Sequence, residues 1–415
     1  MFRWIPWWRG ASRLCVLTVL AGCGGGEDGA TAPGPGPDLR GRALEAGLAA
    51  LPATPVYPPE NPFRAEKAAL GHLLFFDPVL SGPMDVACST CHLPRLAFTD
   101  GRQFPSGAGG SGLGPERTSP GPPPLREMPR NSPPVFNVGL YGRGSSMPAS
   151  NGTMFWSGSA FGLEDQVLNP IAADNELRGV TYGKPAAVDS VLARLRSLPR
   201  YVELFAAAFP EEAALAEGDP DRLVTHTTLR LALAAYVREL VTPDAPLDRF
   251  LRGDDAALSD LQRRGLELFV GEAGCVGCHT GPLLSDFSMH VIGGAQDGLG
   301  RDTTPGDDLG WGEHGGTPYS FRTPPLRQVS LTPPYLHAGT AATLRAVLDF
   351  KNRGVSEHPN VSDAQLDPLV RPLGLPGGEL DALHAFLEAL TDPLTGAGPL
   401  FEPPAEVPSG LEIPR

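Results

Sequence analysis

Apolar side chains fall at helical spacing in several parts of the chain. In "DLQRRGLELFVGEAGCVGCH", residues 260–279, Leu261, Leu266, Leu268 and Phe269 approximate one apolar face, the pattern of an amphipathic helix. "GGELDALHAFLEALTD", residues 377–392, repeats the period with Leu380, Leu383, Phe386, Leu387 and Leu390. "DRLVTHTTLRLALAAYVRELVTP" predicts a long helix ending at Pro243, where proline stops it. No alternation of the kind a half-buried strand needs persists over any length. "EKAALGHLLFFDPVLSGPMDVACSTCH", residues 66–92, echoes the 260–279 stretch: each sets a helix just before a cysteine-histidine group.

Those two groups change the picture. Cys88-Ser-Thr-Cys91-His92 and Cys275-Val-Gly-Cys278-His279 both read C-x-x-C-H, in a chain with only six cysteines and nine histidines. The spacing has a chemical reason. Two thiols three residues apart reach two vinyl groups on one porphyrin edge, and the next imidazole then lies beneath the iron. A zinc site would want its four ligands from pairs close in sequence, and these pairs are almost half the chain apart. A redox disulfide does not require the histidine. The reading is two covalent c-type haems, with His92 and His279 as the iron ligands. The fold that follows is mainly α, with two cytochrome c-like haem domains, long loops and little β.

The N-terminus says where the haems are attached. Arg3, Arg9 and Arg13 precede a short apolar run, and Leu20-Ala21-Gly22-Cys23 has the form of a bacterial lipobox. Residues 1–22 are thus expected to be a lipoprotein signal peptide, Cys23 the lipidated terminus, and residues 23–45 a flexible Gly/Pro tether. A haem domain over 46–250, another over 251–392 and a Pro-rich tail over 393–415 complete the organisation. One cysteine in the signal, one for lipid and four for haem leave none for a disulfide. The expected location is periplasmic or cell-surface, anchored to the membrane by lipid. A net charge of −14 excludes nucleic acid as a partner and favours a basic protein.

Further stretches carry a resemblance. "LGHLLFFDPVLS", "CSTCHLPRLAFTDGR", "RNSPPVFNV", "FWSGSAFGLEDQVLNPIAADNEL", "TPDAPLDRFLRGDDAALSDLQRRGLELF", "GCVGCHTGPL" and "FRTPPLRQVSLTPPYLHAGTAATL" run from about Phe63 to Asp392. Together they resemble the bacterial dihaem cytochrome c peroxidase and MauG family. The resemblance implies that the first haem meets hydrogen peroxide and the second handles electrons. It places Trp156 between the haems, where a ring can pass an electron or hole. It puts Gln166, Pro170 and Glu176 on the peroxide side of the first haem, where a carboxylate can move a proton between the two peroxide oxygens. It assigns Asn131, Thr332 and Pro334 to an inter-haem calcium site of oxygen ligands. His337 and Arg322 fall near the haem propionates, with no catalytic role.

Two departures from that family bear on the reaction. Many of its peroxidases cap the first iron with a histidine in the loop after the first motif, but here no histidine occurs between His92 and His226. That loop, rich in glycine and proline, is expected to be mobile and the first haem open, with Met128, Met147 or Met154 as alternative sixth ligands. In "VLDFKNRG", Lys351 stands where the family has methionine or tyrosine on the second iron. An amine binds iron only when neutral, and deprotonating lysine at pH 7 from a reference pKa of ~10.4 costs about 4.6 kcal/mol. Burial lowers that cost. The alternatives for that position are Met289, His290, His358 or water. The expected function is peroxide-driven oxidation of a secreted partner protein, as in the MauG and MbnH-like members, the latter acting on a tryptophan of a metal-binding partner. Ordinary peroxide reduction with electrons from a small redox protein is the alternative. A non-enzymatic dihaem electron carrier would leave Gln166 and Glu176 without purpose.

Overall fold

Two pairs of crossing helices organise the chain. The helix over Ala65–Phe76 packs against His226–Arg238, and Asp260–Val270 against Gly377–Glu388. Each crossing is made close by a glycine. A Cβ on Gly71 would lie 2.0 Å from the Ala232 carbonyl oxygen, and one on Gly265 2.0 Å from that of Ala382. Leu70, Leu74 and Phe76 then bury against Leu229, Leu233 and Tyr236, while Phe269 and Phe386 meet with ring centroids 5.0 Å apart. The helix before each haem motif is thereby locked to a partner far along the chain.

The computed structural model describes residues 38–118, 127–141, 152–296, 307–393 and 398–414. The signal and lipobox expectations, Cys23 included, lie outside them, as does Met147. Among the described residues no helix is long and apolar enough to cross a membrane. The fold is mainly helical, and the described strands are two antiparallel pairs of two residues each, Thr153–Met154 with Ala160–Phe161 and Met289–His290 with Phe321–Arg322. Buried side chains form two cores, one drawn mostly from residues 51–240 and the other mostly from 247–390.

Several expectations need correcting. Leu261 is half exposed, so the buried face of its helix is Leu266, Leu268 and Phe269. The long helix ending at Pro243 is shorter: Thr225 is extended and its Oγ1 accepts from Thr228 N at 3.2 Å, so the helix starts at His226 and stops at Arg238. Leu39–Glu45, placed in the tether, is helical, with Ala43 in the second core and Arg40 Nε donating to Phe250 O at 2.7 Å. The Pro-rich tail joins the fold where it is described. Val407 and Ile413 enter the first core, Tyr236 Oη donates to Leu400 O at 2.8 Å, and Ser409 Oγ donates to Asp77 Oδ1 at 2.6 Å.

A methyl group at Gly265 must push two backbones apart. Gly265→Ala is expected to destabilise the holoprotein by about 1–3 kcal/mol, the usual range for overpacking, read as a lower denaturant midpoint. An unchanged midpoint would mean that the crossing is not close in solution.

Candidate functional site

The two C-x-x-C-H segments are built alike. Cys88–Cys91 forms one helical turn, and Cys275–Gly277 a tighter one. In each, the histidine that follows is fixed through its Nδ1. His92 Nδ1 donates to Phe98 O at 3.0 Å and His279 Nδ1 to Leu284 O at 2.9 Å. Both acceptor residues lie in the left-handed region, Phe98 at φ 58° and Leu284 at φ 50°, which folds the chain back over the ring. With Nδ1 engaged, Nε2 is the nitrogen left for a metal. Burial holds both imidazoles neutral, lowering His92 and bringing His279 down to about 4.

Above the first motif lies a cavity of about 1290 Å³, lined by Cys88, Cys91, His92, Trp156, Gln166 and Glu176 among others. A close-packed interior does not leave such a void for itself, and its size and mostly apolar wall suit a porphyrin. The thiols fit the same group. Burial pushes Cys88 up to about 12 and Cys275 up to about 11, and raises Cys91 too. A zinc site would need them as thiolates, whereas a thioether to haem carries no charge. The residues present therefore fit haem c at both motifs.

Glu176 and Gln166 come together on the cavity wall with Pro170. Burial alone lifts the Glu176 carboxyl to about 7, and its charge reaches the thiols of Cys88 and Cys91. Trp156 lies between the two halves: its Nε1 donates to Asn131 O at 2.9 Å, and its carbonyl accepts from Arg322 N at 2.8 Å. Asn131 N donates to His337 O at 2.7 Å, and the His337 ring stacks on Phe321 at 3.7 Å. Of the calcium candidates, Asn131 joins this chain, while Thr332 Oγ1 donates to Val329 O at 3.2 Å. Met128 and Met154 line the cavity.

Lys351, on the helix Leu344–Arg353, is turned towards the second motif. Burial lowers its pKa. The alternatives fare differently. His290 is caged, with Nδ1 donating to Asp367 Oδ2 at 2.7 Å and Nε2 to Asp286 Oδ2 at 3.0 Å, and these carboxylates with Cys278 raise it to about 11. With each ring nitrogen engaged by a carboxylate, neither is left for iron. Donor atoms of Cys278, Asp286 and His290 lie within 4.8 Å of one another, the metal-like trio found among the described residues. Cys278 belongs to the haem motif and both His290 ring nitrogens are taken by carboxylates, so no ion is assigned there. Met289 reaches to Gly158, and His358 Nδ1 accepts from Asn360 N at 3.0 Å. Sequence reading missed the His290 cage because Asp367 is remote in sequence; the neighbour four residues before it, Asp286, was the available signal.

The loop after the first motif is not loose where it is described. Arg102 Nε donates to Phe104 O at 3.1 Å, Arg102 pairs with Glu127, and buried Arg117 gathers main-chain carbonyls. Two guanidinium groups give the glycine-rich segment one shape.

Comparison with known proteins gives a consistent set of relatives. Residues 65–256 match the family model of di-haem cytochrome c peroxidases. The chain is 34% identical over 389 residues to the methylamine utilization protein MauG of Methylorubrum extorquens, covering 91% of this chain and 94% of that one. It is 35% identical over 376 residues to a cytochrome-c peroxidase of Denitromonas iodatirespirans, covering 84% and 87%. Its fold superimposes on the crystal structure of a MauG-like protein associated with microbial copper homeostasis with a TM-score of 0.69, at 30% identity over 85% of this chain and 98% of that one. With two C-x-x-C-H sites of matching build and relatives similar over nearly their whole length, this chain belongs to the di-haem cytochrome c peroxidase and MauG family, and is a peroxidase-type oxidoreductase with two c-type haems.

Proposed function

We propose that this protein takes hydrogen peroxide at the first haem and oxidises a secreted partner protein, in the manner of MauG-like enzymes. Bound haem supplies the iron that meets peroxide, and a second haem supplies a further store of electrons. The observation that carries the reading is the Glu176 carboxyl group on the wall of the first cavity, beside Gln166 and the Cys88-Cys91-His92 motif, where burial raises its pKa to about 7. As a carboxylate, Glu176 accepts the proton of the inner peroxide oxygen and returns it to the outer one, so water can leave. Gln166 orients the peroxide by hydrogen bonding, and His92, held by Phe98, keeps its Nε2 for iron. Trp156 offers a ring between the halves for electron passage. Asn131, Thr332 and Pro334 hold calcium between them, and Cys23 carries the lipid that tethers the protein outside the cytoplasm.

Two features favour partner oxidation over simple peroxide reduction. The chain has no histidine from 93 to 225 to cap the first iron. Lys351 lies at the second motif, where its burial favours the neutral amine that iron requires. A nitrogen ligand of this strength stabilises oxidised iron and lowers the potential. The similarity to a cytochrome-c peroxidase of Denitromonas iodatirespirans supports the second reading, peroxide reduction with electrons from a small redox protein.

Two substitutions test these assignments. Glu176→Gln is expected to slow the reaction with peroxide by roughly 10²–10⁴-fold with both haems retained, the usual worth of a general acid–base. In the parent protein the rate should rise with pH through about 7, because the carboxylate is the working form. An unchanged rate removes Glu176 from the mechanism. Lys351→Met should raise the potential of one haem only and shift its low-spin electron paramagnetic resonance signal; a spectrum and potential like the parent's would show that lysine is not the ligand.

A further inference from the structure

Arg117 is 4% exposed, and among the described residues its hydrogen bonds all go to main-chain oxygens. Nε donates to Ser106 O at 2.6 Å, Nη1 to Gly112 O at 2.7 Å and Nη2 to Gly107 O at 2.7 Å. A planar fork that satisfies three carbonyls at once admits one shape of the turn over residues 106–112. Among the described residues no carboxylate hydrogen-bonds this guanidinium, and Asp85 and Asp100 act on it only from a distance, so its burial is costly and the geometry it imposes is what the burial achieves.

What the turn touches gives that geometry its use. Ala108 N donates to Glu176 O at 2.7 Å. Gly107 lies flush against the same segment: a Cβ there would come 2.3 Å from Glu176 O and 2.6 Å from its Cα. On the other side, the carbonyl of Ser106 lies 3.9 Å from Cys91 Sγ. No described protein group hydrogen-bonds the Glu176 carboxyl, on which burial alone acts. Its aim into the cavity is therefore set by its main chain, and its main chain is held by the turn.

We propose that Arg117 is a positioning residue for the first site: it clamps the 106–112 turn against the backbone of Glu176 and so directs that carboxyl group into the cavity. This rests on Glu176 being the proton-transferring group, and the test separates the two claims. In the dihaem holoenzyme, Arg117→Ala should slow the reaction with peroxide by roughly 10–10²-fold, the scale of a misplacement of about 1 Å. Arg117→Lys should recover only part of the loss, since one ammonium cannot span three carbonyls. Combined with Glu176→Gln, Arg117→Ala should add no further loss, because both act through one group. Amide hydrogen exchange of residues 173–178 should quicken in Arg117→Ala, which reads the clamp without reference to activity. Gly107→Ala keeps the guanidinium and presses on the Glu176 backbone from within the turn itself, so it serves if Arg117→Ala does not fold; it too should lose rate and add nothing to Glu176→Gln. Losses that multiply in either double variant, or unaltered exchange at 173–178, would overturn the proposal. If Glu176→Gln alone leaves the rate unchanged, the acid–base assignment falls while the exchange result still decides the clamp.

Discussion

An imidazole that is to bind iron through one nitrogen must be held through the other, and much of this structure serves that requirement twice over. The acceptors are main-chain carbonyls on residues in the left-handed region, Phe98 and Leu284, so each ring is aimed by the backbone. What fixes those carbonyls is tertiary. Phe98 sits in an aromatic cluster with Phe75, Phe136 and Phe401, its ring 5.2 Å from that of Phe136. Phe401 arrives from the returning C-terminal segment, which is pinned at Asp77 by Ser409. The first haem histidine is thus oriented by residues from across the whole chain.

The two halves meet through a short relay of bonds to main-chain oxygens. Trp156, Asn131, His337 and Arg322 are joined by donors and acceptors between 2.7 and 2.9 Å, and Arg130 grips Asp308 with two bonds of 2.6 Å. Deeper in the second half, buried Arg327 pairs with Asp248 at 2.8 Å and also donates to Pro282 O, just after the second motif. A bidentate or buried pair of this kind fixes geometry more than it adds stability. In a protein whose chemistry needs two sites at a set separation, geometry is the quantity to protect.

The parts legible in sequence are those whose chemistry is local. The two motifs, the helices ahead of them and the closing helix follow from local spacing; Glu176 and Gln166 stand in a short stretch that resembles the family, and Lys351 stands out as a departure from it. The rest depends on contacts across long separations. Nothing around His290 announces that Asp367 will close its cage, and "GPERTS" does not reveal that Arg117 collects the carbonyls of residues 106, 107 and 112. The same limit explains the loop. Glycine and proline imply mobility by composition, yet where the loop is described the buried guanidinium of Arg117 and the half-buried one of Arg102 bind its main chain. The packing of the tail was not legible for a similar reason, since its few apolar residues, Val407 and Ile413 among them, are too sparse to show a period yet enter the first core.

The central claim is that the first site is ready for peroxide in the oxidised protein. It is tested most directly by adding hydrogen peroxide anaerobically to the fully oxidised dihaem holoprotein with no reductant present, while following the visible spectrum. The account predicts prompt consumption of peroxide with the absorption of both haems changing together, and a long-lived product two electrons more oxidised than the starting protein. A protein that leaves peroxide untouched until its second haem has been reduced would contradict it.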